Sequence, residues 1–315
     1  MRRRSLLATP ALLALPARAQ APARPFYTAG PGSAFLPYGQ ALAAFLGTRG
    51  VALEVRTSAG SLENLRRVED EPAAIGTAFL GSVVDALGGT PAAGGRRHTR
   101  IRALFPMYET GFMAVALRSR GLTRFADLAG RKVGCGPARG PAESFFRAAA
   151  EVAGITAEIV SGDSAALSQA VLAGEIDALW QGAIIPIPAI AAVTDAADAV
   201  VIGPGAAVVA GVLARLPHLA ALTVAPGAYR GQAAPVESFA AWNFVVGNAA
   251  LPDAEAEALV RAVLAATDPA REISAMAAGT RAANAGANRV LAFHPGAARA
   301  LRAAGASVPE IAPPG

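Results

Sequence analysis

Three stretches of the chain share one local grammar: a short apolar run, a loop rich in Gly, Ser or Thr, then a helix-like segment. They are Phe26-Tyr27-Thr28-Ala29-Gly30-Pro31-Gly32-Ser33, Val55-Arg56-Thr57-Ser58-Ala59-Gly60-Ser61 and Val133-Gly134-Cys135-Gly136-Pro137-Ala138-Arg139-Gly140. Loops of this kind set backbone N–H groups at helix starts, where they lack intrahelical partners and carry the positive end of the helix dipole. Several such loops facing one crevice are expected to hold a small anion or carboxylate without any catalytic residue.

The order of elements constrains the fold further. Residues 26–28, 53–57 and 74–79 read as strands, and 38–46 as a helix with Leu42, Phe45 and Leu46 on one face. A second helix starts at Ser61, a good capping residue, with Asn64 in its first turn. This β-α-β-α-β order predicts parallel strands. A Gly/Ala/Pro-rich surface loop over 88–97 follows, then an apolar run over 112–117. A second α/β series begins near Gly121: strand 132–135, helix 142–153, strand 158–160, helix 164–172, strand 178–180. Gly174 stands where a helix C-terminal glycine belongs. Residues 199–216 read as a buried strand and helix rather than a membrane span, because Gly203-Pro204-Gly205 breaks the run. Another apolar run lies at 244–246, and 253–266 is an amphipathic helix.

Two α/β series joined by two extended runs predict two lobes with a cleft between them. The expected lobes are 24–112 with 236–315, and 113–235. In open parallel sheets ligands sit beyond the carboxyl ends of the strands, which is where the three loops lie.

With 315 residues and 53% hydrophobic composition, the chain is long enough for two real cores. The formal charge of +5 overstates the case for a polyanionic partner. Residues 1–19 read as an export signal: Arg2, Arg3 and Arg4, an apolar stretch over 6–15, then Ala17-Arg18-Ala19 before Gln20. That segment carries four arginines and no acid, so its removal lowers the charge from +5 to +1. A near-neutral exported protein has no electrostatic case for nucleic acid. The expected location is the periplasm. Arg3-Arg4-Ser5-Leu6-Leu7 also fits a loose twin-arginine pattern, which leaves both export routes open.

Catalytic signatures are missing. There is no Gly-x-Ser-x-Gly, no His-Glu-x-x-His and no Cys-x-x-Cys. Gly30-Pro31-Gly32 lacks the third glycine of a dinucleotide loop, and no loop carries a phosphate-binding lysine; Lys132 is the only lysine. Cys135 is the single cysteine and reads as a small buried strand residue, far in sequence from His98, His218 and His294. Asp163, Glu175 and Asp177 fall at a helix start and a helix–strand turn, where acids cap or meet solvent. No cofactor, metal ion or catalytic residue is expected.

The candidate ligand residues follow from the loops. Ser33, Ser58, Ser61 and Asn64 supply small donors from the first lobe. Arg139 in the third loop offers a guanidinium for a carboxylate, or is a plain surface arginine. Trp180 and Gln181 end a strand at the expected cleft, although Trp180 also suits a core. Tyr108 and Glu109 precede the first connecting run and either line the cleft floor or cap that run.

At this level of detail the chain resembles the TAXI-type substrate-binding proteins of tripartite (TRAP) transporters over nearly its whole length after the leader. Gly32-Ser33-Ala34-Phe35-Leu36-Pro37-Tyr38-Gly39 resembles that family's Gly-Thr-Tyr-Tyr-Pro-Leu-Gly loop, which adds Phe35 to the candidate ligand residues. Thr57-Ser58-Ala59-Gly60-Ser61-Leu62-Glu63-Asn64-Leu65 is similar to Thr-Gly-Gly-Ser-Val-Glu-Asn-Leu, the most specific match in the chain. Similar matches occur at Asp127-Leu128-Ala129-Gly130-Arg131-Lys132-Val133, Gly174-Glu175-Ile176-Asp177-Ala178, Ala225-Pro226-Gly227-Ala228-Tyr229-Arg230-Gly231-Gln232 and His294-Pro295-Gly296-Ala297. The resemblance implies a two-lobed, type II periplasmic-binding-protein-like α/β fold. It implies a monomeric receptor that captures a small carboxylate or amino acid and delivers it to TRAP membrane subunits. Two departures bear on the ligand: Ala34-Phe35 replaces a Tyr-Tyr pair, and Ala138-Arg139-Gly140-Pro141 replaces a hydroxyl-rich loop. The alternatives are a ligand-sensing adaptor for a receptor kinase, and an enzyme on the same scaffold.

Overall fold

A computed structural model describes residues 23–31, 33–138 and 140–314. The segment over 1–19 expected to be an export signal, and Arg139, therefore lie outside the described residues.

The first lobe begins with β1 (Arg24–Tyr27), α1 (Phe35–Gly47), β2 (Leu53–Arg56), α2 (Ser61–Asp70), β3 (Ile75–Phe79) and α3 (Leu80–Gly88). β1 pairs in parallel with β2 and β3, as the element order predicts. β4 (Ile101–Leu117) is one strand of 17 residues, much longer than the apolar run at its end. The second lobe holds β5 (Lys132–Gly134), α4 (Pro141–Ala153), β6 (Glu158–Val160), α5 (Ser164–Ala173), β7 (Ala178–Ala183), α6 (Pro188–Ala196), β8 (Ala199–Ile202), α7 (Ala206–Arg215) and β9 (Leu219–Val224). β10 (Val236–Asn248) returns, and α8 (Asp253–Leu264), α9 (Pro269–Glu272) and α10 (Pro295–Ala303) finish the chain. Ten strands form one continuous sheet whose main path is β2-β1-β3-β10-β4-β7-β5-β6.

β4 and β10 run antiparallel through both lobes. β10 pairs through Asn243–Gly247 with β3, and through Val236–Ala241 with β9. β4 pairs through Gly111–Val115 with β7 and through Ala114–Leu117 with β8. The β4–β10 register slips where Met107 and Tyr108 together face Asn243. Pro106 adjoins this bulge; a proline in a central strand has no N–H for the ladder, so it belongs where pairing is already broken. The Asn243 side chain repairs the break by donating from Nδ2 to the Tyr108 carbonyl at 3.1 Å and to the Thr110 hydroxyl at 3.1 Å.

Each lobe has its own core. Phe26, Tyr38, Leu42, Phe105, Leu259 and Leu301 cluster in the first. An aromatic group dominates the second, where Trp180 lies 5.7–6.4 Å, ring to ring, from Phe112, Phe125, Phe146 and Phe239. Cys135, just past the end of β5 rather than within it, is fully buried in that same core, and burial pushes its thiol up to about 12, consistent with an inert buried residue.

The C-terminal His-Pro-Gly-Ala motif has a structural explanation. His294 caps α10: its Nδ1 accepts from the Gly296 N–H at 3.2 Å, while Nε2 lies 2.8 Å from the Leu251 carbonyl. Pro295 takes the first helical position, where a missing N–H costs nothing. Gly296 is needed for close approach, because a Cβ there would fall 2.1 Å from the Asp253 carbonyl oxygen. No helix among the described residues is long and apolar enough to cross a membrane.

Candidate ligand-binding cleft

A cleft of about 1180 Å³ opens between the lobes. The starts of α1 and α2 line one side with Ser33, Ala34, Phe35, Ala59, Ser61, Leu62 and Glu63. Phe79 and Ser82 extend that side, and Ala275 and Met276 close it. The bulge region supplies the floor: Tyr108, Thr110, Phe112 and Asn243. The second lobe contributes Pro137, Gly140, Pro141 and Ala142 around the start of α4, then Gln181 through Pro186, and Pro188.

The cleft contains five of the expected residues: Ser33, Phe35, Ser61, Tyr108 and Gln181. Three others are elsewhere. Asn64 is fully buried behind the loop. Its Nδ2 donates to the carbonyls of Thr28 at 2.6 Å and Thr77 at 2.8 Å, and its Oδ1 accepts from the Ser58 hydroxyl at 2.6 Å. Ser58 also accepts from the Gly60 N–H at 3.0 Å. The segment from Thr57 to Leu65 therefore stitches the ends of β1 and β3 to the start of α2, and Ser58 and Asn64 are engaged in that task. Trp180 is fully buried, and its Nε1 donates to the Ala142 carbonyl at 3.0 Å. It supports the cleft wall from behind rather than forming it. Glu109, opposite Trp242 in the ladder, is half-buried away from the cleft lining; burial raises its carboxyl above the usual range.

Several of the loop N–H groups expected to meet an anion are taken. Ala59 N–H donates to the Glu63 carboxylate at 2.9 Å, Phe35 N–H to the Ser33 hydroxyl at 3.3 Å, and Gly140 N–H to the Pro137 carbonyl at 3.0 Å. Pro141, at the first position of α4, has no N–H to give. Ser61 follows rather than forms the α2 cap; Gly60 takes that place, and the Ser61 hydroxyl accepts from the Phe79 N–H at 3.0 Å. Glu63 is the only charged side chain lining the cleft among the described residues. Its carboxyl is held below its ordinary range chiefly by the Ala59 N–H, with Arg67 next at 3.3 Å.

Several cleft residues were not anticipated. Asn243 and Thr110 come from the bulge, whose one local signal was Pro106 inside an otherwise apolar run. The segment Ile184-Ile185-Pro186 follows β7, with Pro188 beyond it, and is held by Tyr229, whose hydroxyl accepts the Ile187 N–H at 2.8 Å. Burial pushes that phenol up to about 12, so it remains a neutral hydroxyl. The Ala-Pro-Gly-Ala-Tyr motif thus fixes a cleft wall from a distance. Gly182 is indispensable here: a Cβ would lie 2.0 Å from the Phe112 ring.

Tyr108 is the most exposed to function. Its ring packs 5.7 Å from Tyr38 and 6.4 Å from Phe35, and only 6% of the residue is accessible. Burial raises its phenol above the ordinary range, so it stays protonated. Tyr38 spends its hydroxyl on Thr280 at 2.8 Å, but the Tyr108 hydroxyl has no hydrogen-bond partner among the described residues. Among those residues, no group of three or more His, Cys, Asp or Glu is arranged to hold a metal ion.

A cleft between two α/β lobes, crossed by two long strands, is the architecture of periplasmic binding proteins. The chain belongs to the NMT1-like family, whose model matches residues 26–305. Its fold is similar to a TctC solute-binding protein from Polaromonas at a TM-score of 0.55 and 12% identity, covering 76% of this chain and 83% of that one. It is also similar to the R. palustris protein Rpa4515, solved with adipate, at a TM-score of 0.51 and 13% identity over 77% and 82% of the two chains. A periplasmic transporter protein matches at a TM-score of 0.51 and 12% identity over 78% and 83%. No curated protein matches the chain.

Proposed function

We propose that this protein is an extracytoplasmic solute receptor of the TAXI type, working in the periplasm with TRAP transporter membrane subunits. The observation that carries this reading is the cleft itself, about 1180 Å³ and lined by both lobes. A solute touching both walls favours the closed arrangement, because only there does it meet both sets of contacts. The lobes 24–112 with 236–315, and 113–235, are the bodies that would move, turning where β4 and β10 cross.

The solute class is an organic carboxylate or amino acid. Ser33, Phe35, Ser61, Tyr108 and Gln181 are its proposed contacts. Arg139, proposed from the sequence, is the candidate second-lobe cation. A receptor of this kind needs no catalytic group, which separates it from an enzyme on the same scaffold. A sensing adaptor uses the same closure, and genes for TRAP membrane subunits beside this one would favour transport over sensing.

The test is a thermal-shift screen of organic acids and amino acids, followed by assay of each hit for turnover. A solute at about a hundred times its dissociation constant adds roughly 2.7 kcal/mol of stability. Binding without turnover supports the receptor; chemical conversion of a hit overturns it.

A further inference from the structure

The lining of the cleft narrows the solute class, and this step rests on the receptor reading above. Small-molecule pockets are typically about 300–1,000 Å³; this cleft, at about 1180 Å³, is at or beyond the upper end. Its walls are mainly apolar, with Phe35, Leu62 and Met276 on one side and Pro141, Ile184 and Ile185 on the other. The Phe35, Ala59 and Gly140 N–H groups of these loops are spent on internal bonds, and the charge on the first-lobe side is the ionised carboxylate of Glu63. Two open polar functions lie together on the floor: the Tyr108 hydroxyl and the Asn243 Oδ1, which accepts no bond from a described residue although Asn243 is only 2% exposed.

We infer that the cleft takes an amphipathic solute: one polar or singly ionised head, read at the floor by Tyr108 and Asn243, on a bulky apolar body. Short dicarboxylates and zwitterionic amino acids are disfavoured by the apolar walls and by Glu63. A second charged group would have to leave water for a wall of aliphatic and aromatic carbon, or face Glu63, with no described cation lining the cleft to receive it. An apolar body, by contrast, gains with each methylene it buries.

Calorimetry on the purified full chain at neutral pH decides the matter, with hexanoate, octanoate and phenylacetate set against adipate, octanedioate and glutamate. Octanoate and octanedioate differ only in the second carboxylate. Octanoate should bind at least about tenfold more tightly than octanedioate. Affinity should rise about two- to fourfold per methylene from hexanoate to octanoate. Leu62→Gln, on the half-buried face of α2, should weaken octanoate several-fold without changing the melting temperature of the free protein. Glu63→Gln should narrow the octanoate–octanedioate gap, and an unchanged gap overturns the role given to Glu63. If octanedioate, adipate or glutamate binds as tightly as octanoate, the inference falls while the receptor reading stands. If no solute in this series or in the wider screen binds, both fall.

Discussion

The two walls of the cleft are built on opposite plans. The first-lobe wall consists of helix starts and hydroxyl-bearing loops, yet most of its polar groups face inward, tying β1, β3 and α2 together through Thr28, Ser58, Asn64 and Thr77. The second-lobe wall is apolar, with Pro137, Pro141 and Ala142 at the start of α4, where Ala142 belongs to the aromatic core around Trp180, and Ile184 and Ile185 after β7. The contrast teaches that a loop rich in Gly and Ser supplies free donors only where its neighbours have left them unpaired. Here two free side-chain functions, on Tyr108 and Asn243, are at the seam between the walls, at a bulge that neither wall owns.

The largest effect should come from behind the second wall. Trp180→Ala removes the centre of the aromatic cluster and should cost about 3–5 kcal/mol of stability in chemical denaturation. Intrinsic affinity should change little in whatever protein remains folded; a selective loss of binding would return Trp180 to the cleft surface.

Behind the first wall, Asn64→Ala removes the buried donor shared by the Thr28 and Thr77 carbonyls, leaving Thr28 only the Ser58 hydroxyl, and takes the Oδ1 acceptor from Ser58. The expected loss is about 1–3 kcal/mol, again in stability rather than affinity. Gly182→Ala probes the junction itself. Its Cβ would strike the Phe112 ring, and overpacking of that kind costs about 1–3 kcal/mol.

At the seam the readout should reverse. Tyr108→Phe should weaken the bound solute by about two- to tenfold, the equivalent of one neutral hydrogen bond. The free protein should keep its melting temperature, because that hydroxyl has no partner to lose. Tyr38→Phe is the control, since its hydroxyl holds Thr280; it should lower stability instead.

The smallest effect is a gentle dependence on pH. Burial lowers His98, His218 and His294 below their ordinary value of 6.5. Between the native values and 6.5 the unfolded chain binds more protons than the folded one, so stability is complete above 6.5 and declines as pH falls through that window. Thermal melts from pH 7.5 to 5.5 should show the decline. His294→Asn, which keeps a side-chain acceptor for Gly296, should flatten it. A melting temperature that rises on acidification would contradict the assignment of neutral histidines.

Much of the architecture was legible in residue order. Alternating strand and helix periods marked β1 to β3 and β5 to β7, and the break at Gly203-Pro204-Gly205 separated β8 from α7. Asp163 was recognisable as a helix-start acid, and its carboxylate does accept from the Ala165 and Ala166 N–H groups. These are local matters, set by hydrogen bonding and side-chain spacing within a few residues.

The cleft was only partly legible. Ser33, Phe35, Ser61, Tyr108 and Gln181 line the cleft, as loops after parallel strands gather at one edge of a sheet. Asn64 and Trp180 lie behind its surface, since a residue type says what a side chain can bond to and not which partner reaches it first. Asn243 was missed because its position depends on the bulge at Met107 and Tyr108, whose carbonyl it satisfies from 135 residues away in sequence. Sequence alone was enough for the class of fold and the edge where a ligand belongs, because both rest on local periodicity and chain order. Which donors stay open and how apolar the walls are came from long-range packing, because a hydrogen bond already made inside the protein is no longer available to a solute.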